Sequence, residues 1–161
     1  MTYIYDLLEY KYQNYSVDEF ARLKTLDVIF NICLIIDETL KKAESKAKSI
    51  TLPASHKMSD GILWICDSKG WMKSNDLQTF WNKNNLNVAA SNPDVIIPKL
   101  LCMNELYNGN PVKREVFSLL LAYNLRNYGG HNIDQQFELT RSYDAIIKQL
   151  LMALFLCVEA L

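Results

Sequence analysis

The chain has 161 residues, of which 50% are hydrophobic and 22% charged, and its formal net charge is -1. This mixture excludes long disordered stretches and any global attraction to polyanions, so a nucleic acid or anionic membrane would have to meet a local basic patch. The length suits one domain, 1–161, with a core that needs no disulfide or metal to hold it.

Residues 2 to 12 read as a short helix carrying Tyr3, Tyr5, Tyr10 and Tyr12. These rings and Tyr15 suit packing better than base stacking, and the charges spread through MTYIYDLLEYKY argue against a signal peptide. Ser16 and Glu19 have capping-box spacing ahead of a long helix. Phe20, Leu23, Leu26, Ile29, Ile32, Ile35 and Ile36 recur with the period of one buried face. This helix is expected to run about four to seven turns and to end in LKKAESKAKS, a charged run of the kind that usually forms a solvated helix end. His56, in PASHKMSD, reads as an exposed loop residue.

Residues 50 to 92 allow two readings. Ile62–Cys66 and Trp71–Lys73 can flank a small hairpin turn, or Ser59 can cap a short helix that ends at Gly70; the balance favours the helix. A further short helix after Ser74 carries Leu77, Phe80 and Trp81. Trp64, Trp71 and Trp81 are expected in core or interface packing.

The helical pattern resumes at Asn92-Pro93 and continues to Gly109, with Pro98 as a kink or restart. Asn110 and Pro111 then supply an N-cap and first-turn proline for PVKREVFSLLLAYNLRNY. The last helix is expected to turn Tyr143, Ile146, Ile147, Leu150, Leu151, Leu154, Phe155 and Val158 inward. Both of these helices are apolar over more than one stripe, which predicts a second buried face and, most simply, self-association. The fold class is therefore all-α, an up-and-down bundle of four or five main helices.

Cys33, Cys66, Cys102 and Cys157 are widely spaced in apolar surroundings, as expected of reduced core residues in a cytoplasmic protein. No Cys or His spacing suggests a metal centre, so no metal or cofactor is expected. The longest apolar run, Leu150 to Val158, is about half of a membrane span.

LAYNLRNYGGHNI, residues 121 to 133, carries the chemistry. In an unbroken helix Arg126 and His131 would lie about 140° apart around the axis. Gly129-Gly130 permits a break that brings the imidazole back toward the guanidinium. Arg presents a planar, permanently charged fork to phosphate oxygens, while His exchanges protons near neutrality. Together they suit attack of a ribose 2′-OH on its own phosphodiester without a metal. The bland reading is that Asn127, Gly129, Gly130 and Asn132 only close a helix and Arg126 meets the helix-end carbonyls.

Arg126-Asn127-x-x-x-His131 resembles the Arg-x(4–6)-His motif of HEPN domains, in the Arg-Asn form of HEPN ribonucleases from CRISPR-associated, abortive-infection and toxin systems. The resemblance implies an α-helical bundle, metal-independent endoribonuclease activity on single-stranded RNA, and a homodimer in which two motifs form one composite site. It puts Arg126, His131 and Asn127 at that site, with Asn127 positioning. Lys113, Arg114 and Arg141 flank the motif as candidate contacts to the RNA backbone. An antitoxin or regulatory partner protein is a further expectation. HEPN toxins paired with minimal-nucleotidyltransferase antitoxins often carry Tyr two residues after the His; Ile133 departs from that pattern. The alternative is a non-catalytic HEPN-like module that binds a nucleotide or scaffolds a partner protein.

Overall fold

A computed structural model of the chain describes residues 19–83, 113–129 and 142–161. The described residues form five helices: α1 (Glu19–Lys48), α2 (Met58–Ser68), α3 (Ser74–Lys83), α4 (Arg114–Gly129) and α5 (Tyr143–Val158). No strand occurs among them, so the protein is an all-α helical bundle. None of these helices is long and apolar enough to cross a membrane. Several expectations lie outside the described residues: the N-terminal tyrosines, the Ser16 cap, residues 92–109 with Pro98 and Cys102, Asn110-Pro111, Gly130, His131, Ile133 and Arg141. So do the side chains of Phe20, Leu23 and Leu26.

α1 is longer than its apolar pattern predicted, at about eight turns. It continues through LKKAESKAKS and stops where Ser49 takes a left-handed φ of 53°. The stop is a Schellman closure. Ile50 N–H donates to the Ser45 carbonyl at 3.1 Å and Ser49 N–H to that of Lys46 at 3.2 Å, satisfying carbonyls the helix end would strand. Ile29, Ile32 and Ile36 are buried as expected, together with Cys33 and Leu40. Ile35 is not: one residue turns the helix by about 100°, and Ile35 points away from the stripe that Ile36 follows.

The ambiguous segment folds as helix. α2 begins at Met58 rather than behind Ser59, and Asp60 Oδ2 accepts the Lys57 backbone N–H at 3.4 Å. It ends in a second Schellman closure: Trp71 N–H donates to the Cys66 carbonyl at 2.9 Å and Gly70 N–H to that of Asp67 at 3.1 Å. Gly70, at φ +63°, supplies the left-handed residue this turn requires. α3 starts at Ser74 and buries Leu77 and Trp81, while Trp64 and Trp71 are half-buried against the core.

α4 is the hub. It runs from Arg114, and the non-helical Lys113 ahead of it accepts the Val116 N–H on its carbonyl at 3.1 Å. Every residue from Val116 to Ala122 is buried. A helix apolar all round belongs inside a bundle, and α4 packs on α1, α2 and α5. Phe80 meets Phe117 edge to face at 5.9 Å, and Trp81 meets Tyr123 at 4.7 Å, which seats α3 as well. The second apolar stripe of α4 is thus consumed within the chain rather than left for another copy.

α5 buries Tyr143, Ile146, Ile147 and Leu150 as expected, then continues through Ala153 and Cys157. Leu151 and Leu154 are half-buried, but Phe155 (55% exposed) and Val158 (49%) face outward, against expectation. Phe155 lies about 140° around the axis from Leu150, off the stripe that Ala153 and Cys157 extend. Lys46 Nζ donates to the Leu161 carbonyl, so the C-terminal ends of α1 and α5 lie side by side.

Candidate functional site

Arg126 occupies the last turn of α4, as the Gly pair predicted, and its helix reaches Gly129. Among the described residues its guanidinium meets side chains, not helix-end carbonyls. Nη2 lies 2.9 Å from Oδ2 of Asp37 on α1, and Nη1 donates to Oδ1 of Asn127 at 3.3 Å. Asp37 is almost wholly buried, with 3% of its side chain exposed. Lys41, one turn further along α1, donates to the same Oδ2 at 3.2 Å.

A buried carboxylate is tolerated only when charge partners and hydrogen bonds replace its water. Here two cations share the task, and both remain in contact with solvent: 34% of the Arg126 side chain is exposed and 28% of that of Lys41. One negative and two positive charges leave the group with a net charge of +1. Arg126 Nε and Asp37 Oδ1 are buried and lack a hydrogen-bond partner among the described residues. The guanidinium therefore grips the carboxylate by one prong, and part of its donor set is not spent on Asp37 or Asn127.

Cys33 lies close enough to feel this charge. Burial pushes its thiol well above the ordinary range, and the nearby Arg126 guanidinium acts in the opposite direction without overcoming it. Burial likewise pushes the Cys66 thiol up to about 12, with a smaller push from Cys157, and Cys157 itself to about 12. Tyr143 is raised to about 12 by burial and then by the neighbouring Asp144. Cys33, Cys66 and Cys157 are free, buried and protonated near neutral pH, so they are packing residues rather than nucleophiles.

The other candidates fall differently. Asn127 is half-buried beside Arg126 and accepts its hydrogen bond. Lys113 and Arg114 are exposed, but they sit at the opposite end of α4, about 18 Å of helical rise from Arg126. The helix separates them from the guanidinium by its own length. His131 and Arg141 lie outside the described residues.

His56 overturns its reading as an exposed loop residue. Only 12% of its side chain is exposed, and Nε2 lies 2.8 Å from Oε2 of Glu44, which is itself buried. Lys48 Nζ takes the other oxygen at 2.6 Å. The run LKKAESKAKS is therefore not solvated all round: Ala43 and Glu44 point into the protein while Lys42, Lys46 and Lys48 face out.

Asp37, Lys41 and Glu44 were not singled out in the sequence, yet a signal was there. Asp37 and Glu44 are seven residues apart on the stripe of Cys33, Ile36 and Leu40, and each is followed four residues later by Lys. Acids on an apolar stripe announce buried carboxylates that need partners. Among the described residues, no group of three His, Cys, Asp or Glu side chains is placed to hold a metal ion. The chain matches no family model, no curated protein and no solved structure.

Proposed function

We propose that this protein is a metal-independent endoribonuclease of HEPN type, cleaving single-stranded RNA in the cytoplasm at a composite homodimer site, in antiviral defence or as a toxin. The observation that carries this reading is the Arg126 guanidinium, held on a buried carboxylate at the last turn of α4 and still one-third exposed. A phosphodiester oxygen accepts well from such a fork, and the charge it gains during attack is what a fixed cation stabilises. His131 takes the proton from the ribose 2′-OH as that oxygen bonds to phosphorus. A proton passes to the departing 5′-oxygen, from the same imidazole or its copy in the other protomer. The products are a 2′,3′-cyclic phosphate and a 5′-hydroxyl. Asn127 orients Arg126, and an antitoxin or regulatory protein holds the activity in check.

The test is cleavage of end-labelled single-stranded RNA in EDTA by the wild type, Arg126→Ala and His131→Ala purified in parallel. Cleavage by the wild type alone is the expected result. Equal cleavage by the variants would sink the proposal.

A second reading has its own support. The Arg126–Asp37 pair also serves as a tie between α1 and α4, and Phe155 and Val158 stand outward on α5. A non-catalytic HEPN-like module that binds a nucleotide or scaffolds a partner through α5 would show these features, and no turnover.

A further inference from the structure

We infer that Asp37 and Lys41 complete the Arg126 site: Lys41 as a second cation that binds the RNA phosphate, and Asp37 as the residue that positions both cations. This rests on the reading of Arg126 as a phosphate contact. Lys41 Nζ and Arg126 Nη2 lie 3.2 Å and 2.9 Å from one carboxylate oxygen, Asp37 Oδ2. The two nitrogens are therefore at most about 6 Å apart, a gap that one phosphate bridges when each donates to a different oxygen at about 2.8 Å. They come from different helices, so neither helix alone makes the pair.

Both cations keep donors in reserve. An ammonium has three and a guanidinium five, and among the described residues Lys41 is seen to meet one acceptor and Arg126 two. Asp37 cannot repel an incoming phosphate outright, because its one charge is outnumbered by two. What it does is fix position. An Arg and a Lys on flexible stems, left to themselves, would separate by mutual repulsion, and a shared buried carboxylate holds them side by side. Lys42, the next residue, is exposed and turned about 100° away, which makes it the natural control.

The experiment titrates a short, labelled, 2′-O-methylated single-stranded RNA, which binds but cannot be attacked by its own 2′-oxygen, and follows anisotropy over a range of salt. Wild type, Lys41→Gln, Lys42→Gln and Arg126→Gln are compared, with cleavage of unmodified RNA measured in parallel. Lys41→Gln is expected to weaken binding roughly three- to tenfold and to lower the slope of log affinity against log salt by about 0.7, one phosphate contact on a single strand. Lys42→Gln should leave both unchanged. If Lys41→Gln matches Lys42→Gln, or the wild type shows no salt-dependent binding, the inference is overturned.

Asp37→Asn tests positioning separately. It raises the local charge from +1 to +2, so RNA binding should hold or tighten while turnover falls, a split that a merely structural loss would not produce. Failure of the ribonuclease reading looks different: Arg126→Gln would retain wild-type cleavage, or the wild type would bind through Lys41 without cleaving.

Discussion

Two levels of α1, about two turns apart, solve the same problem in opposite ways. Asp37 and Glu44 are both buried carboxylates, each with a Lys four residues on and a second partner, Arg126 or His56, brought from elsewhere. At Glu44 the oxygens are divided, Oε1 to Lys48 and Oε2 to His56, and the acceptor is satisfied on both sides. At Asp37 both cations crowd onto Oδ2, while Oδ1 and Arg126 Nε have no partner among the described residues. A closed set of contacts holds a loop to a helix. An open set, whose two cations are each about one-third exposed, leaves donors unspent, and the candidate site therefore lies at Asp37 and not at Glu44.

The largest expected effect breaks the closed set. A Lys48→Ala/His56→Ala double variant strands the Glu44 carboxylate in the core, and removing the partners of a buried charge costs about 3–5 kcal/mol. Urea unfolding should show that loss, with RNA cleavage per folded molecule unchanged. A loss below about 1 kcal/mol would mean that Glu44 is not a lock.

Removing Arg126 should cost less, because Asp37 keeps Lys41. Arg126→Ala is expected to destabilise by about 1–3 kcal/mol, the range for a buried polar group that loses one of its partners. Equal costs at the two levels would erase the distinction drawn here.

Gly61→Ala probes the packing around the lock without touching a charge. A Cβ there would lie 2.9 Å from Cγ and Cδ2 of buried Leu40 and 3.5 Å from Glu44 Oε2. Overpacking costs about 1–3 kcal/mol, and better helix propensity returns up to about 1. A net loss on the order of 1 kcal/mol is expected in the same unfolding assay, and a gain would show that Leu40 can move aside.

The smallest effect belongs to Lys46, whose bond to the Leu161 carbonyl is exposed. Lys46→Ala should change stability by no more than about 0.5 kcal/mol, as solvated contacts do. A larger loss would put the C-terminal junction of α1 and α5, and not Glu44, at the centre of local stability.

Much of the fold was legible because helices are local objects. The apolar period from Ile29 to Ile36, the Ser74 start and the Arg126 helix end all follow from spacing and turn chemistry within a few residues. Gly70 would have settled the hairpin question had its left-handed turn been visible, yet a glycine before Trp71 suits either structure until the backbone is seen. Phe155, Val158 and Ile35 were misplaced for one reason: an apolar residue near a stripe is not on it, and about 100° per residue decides. Around Arg126, its own place in the last turn of α4 was legible from the glycines that follow it. Asp37, Lys41, Glu44 and His56 were not, because a charged residue in a sequence is read as solvated until something is shown to cover it.

By itself, then, the sequence determined that the chain is helical, roughly where the described helices run, and that Arg126 stands in the last turn of one. Only the tertiary structure decided that Arg126 meets Asp37, that His56 meets Glu44, and that α4 spends both apolar faces inside the bundle. Helix formation depends on neighbours a turn apart. The partner of a buried carboxylate depends on which distant helix packs across from it.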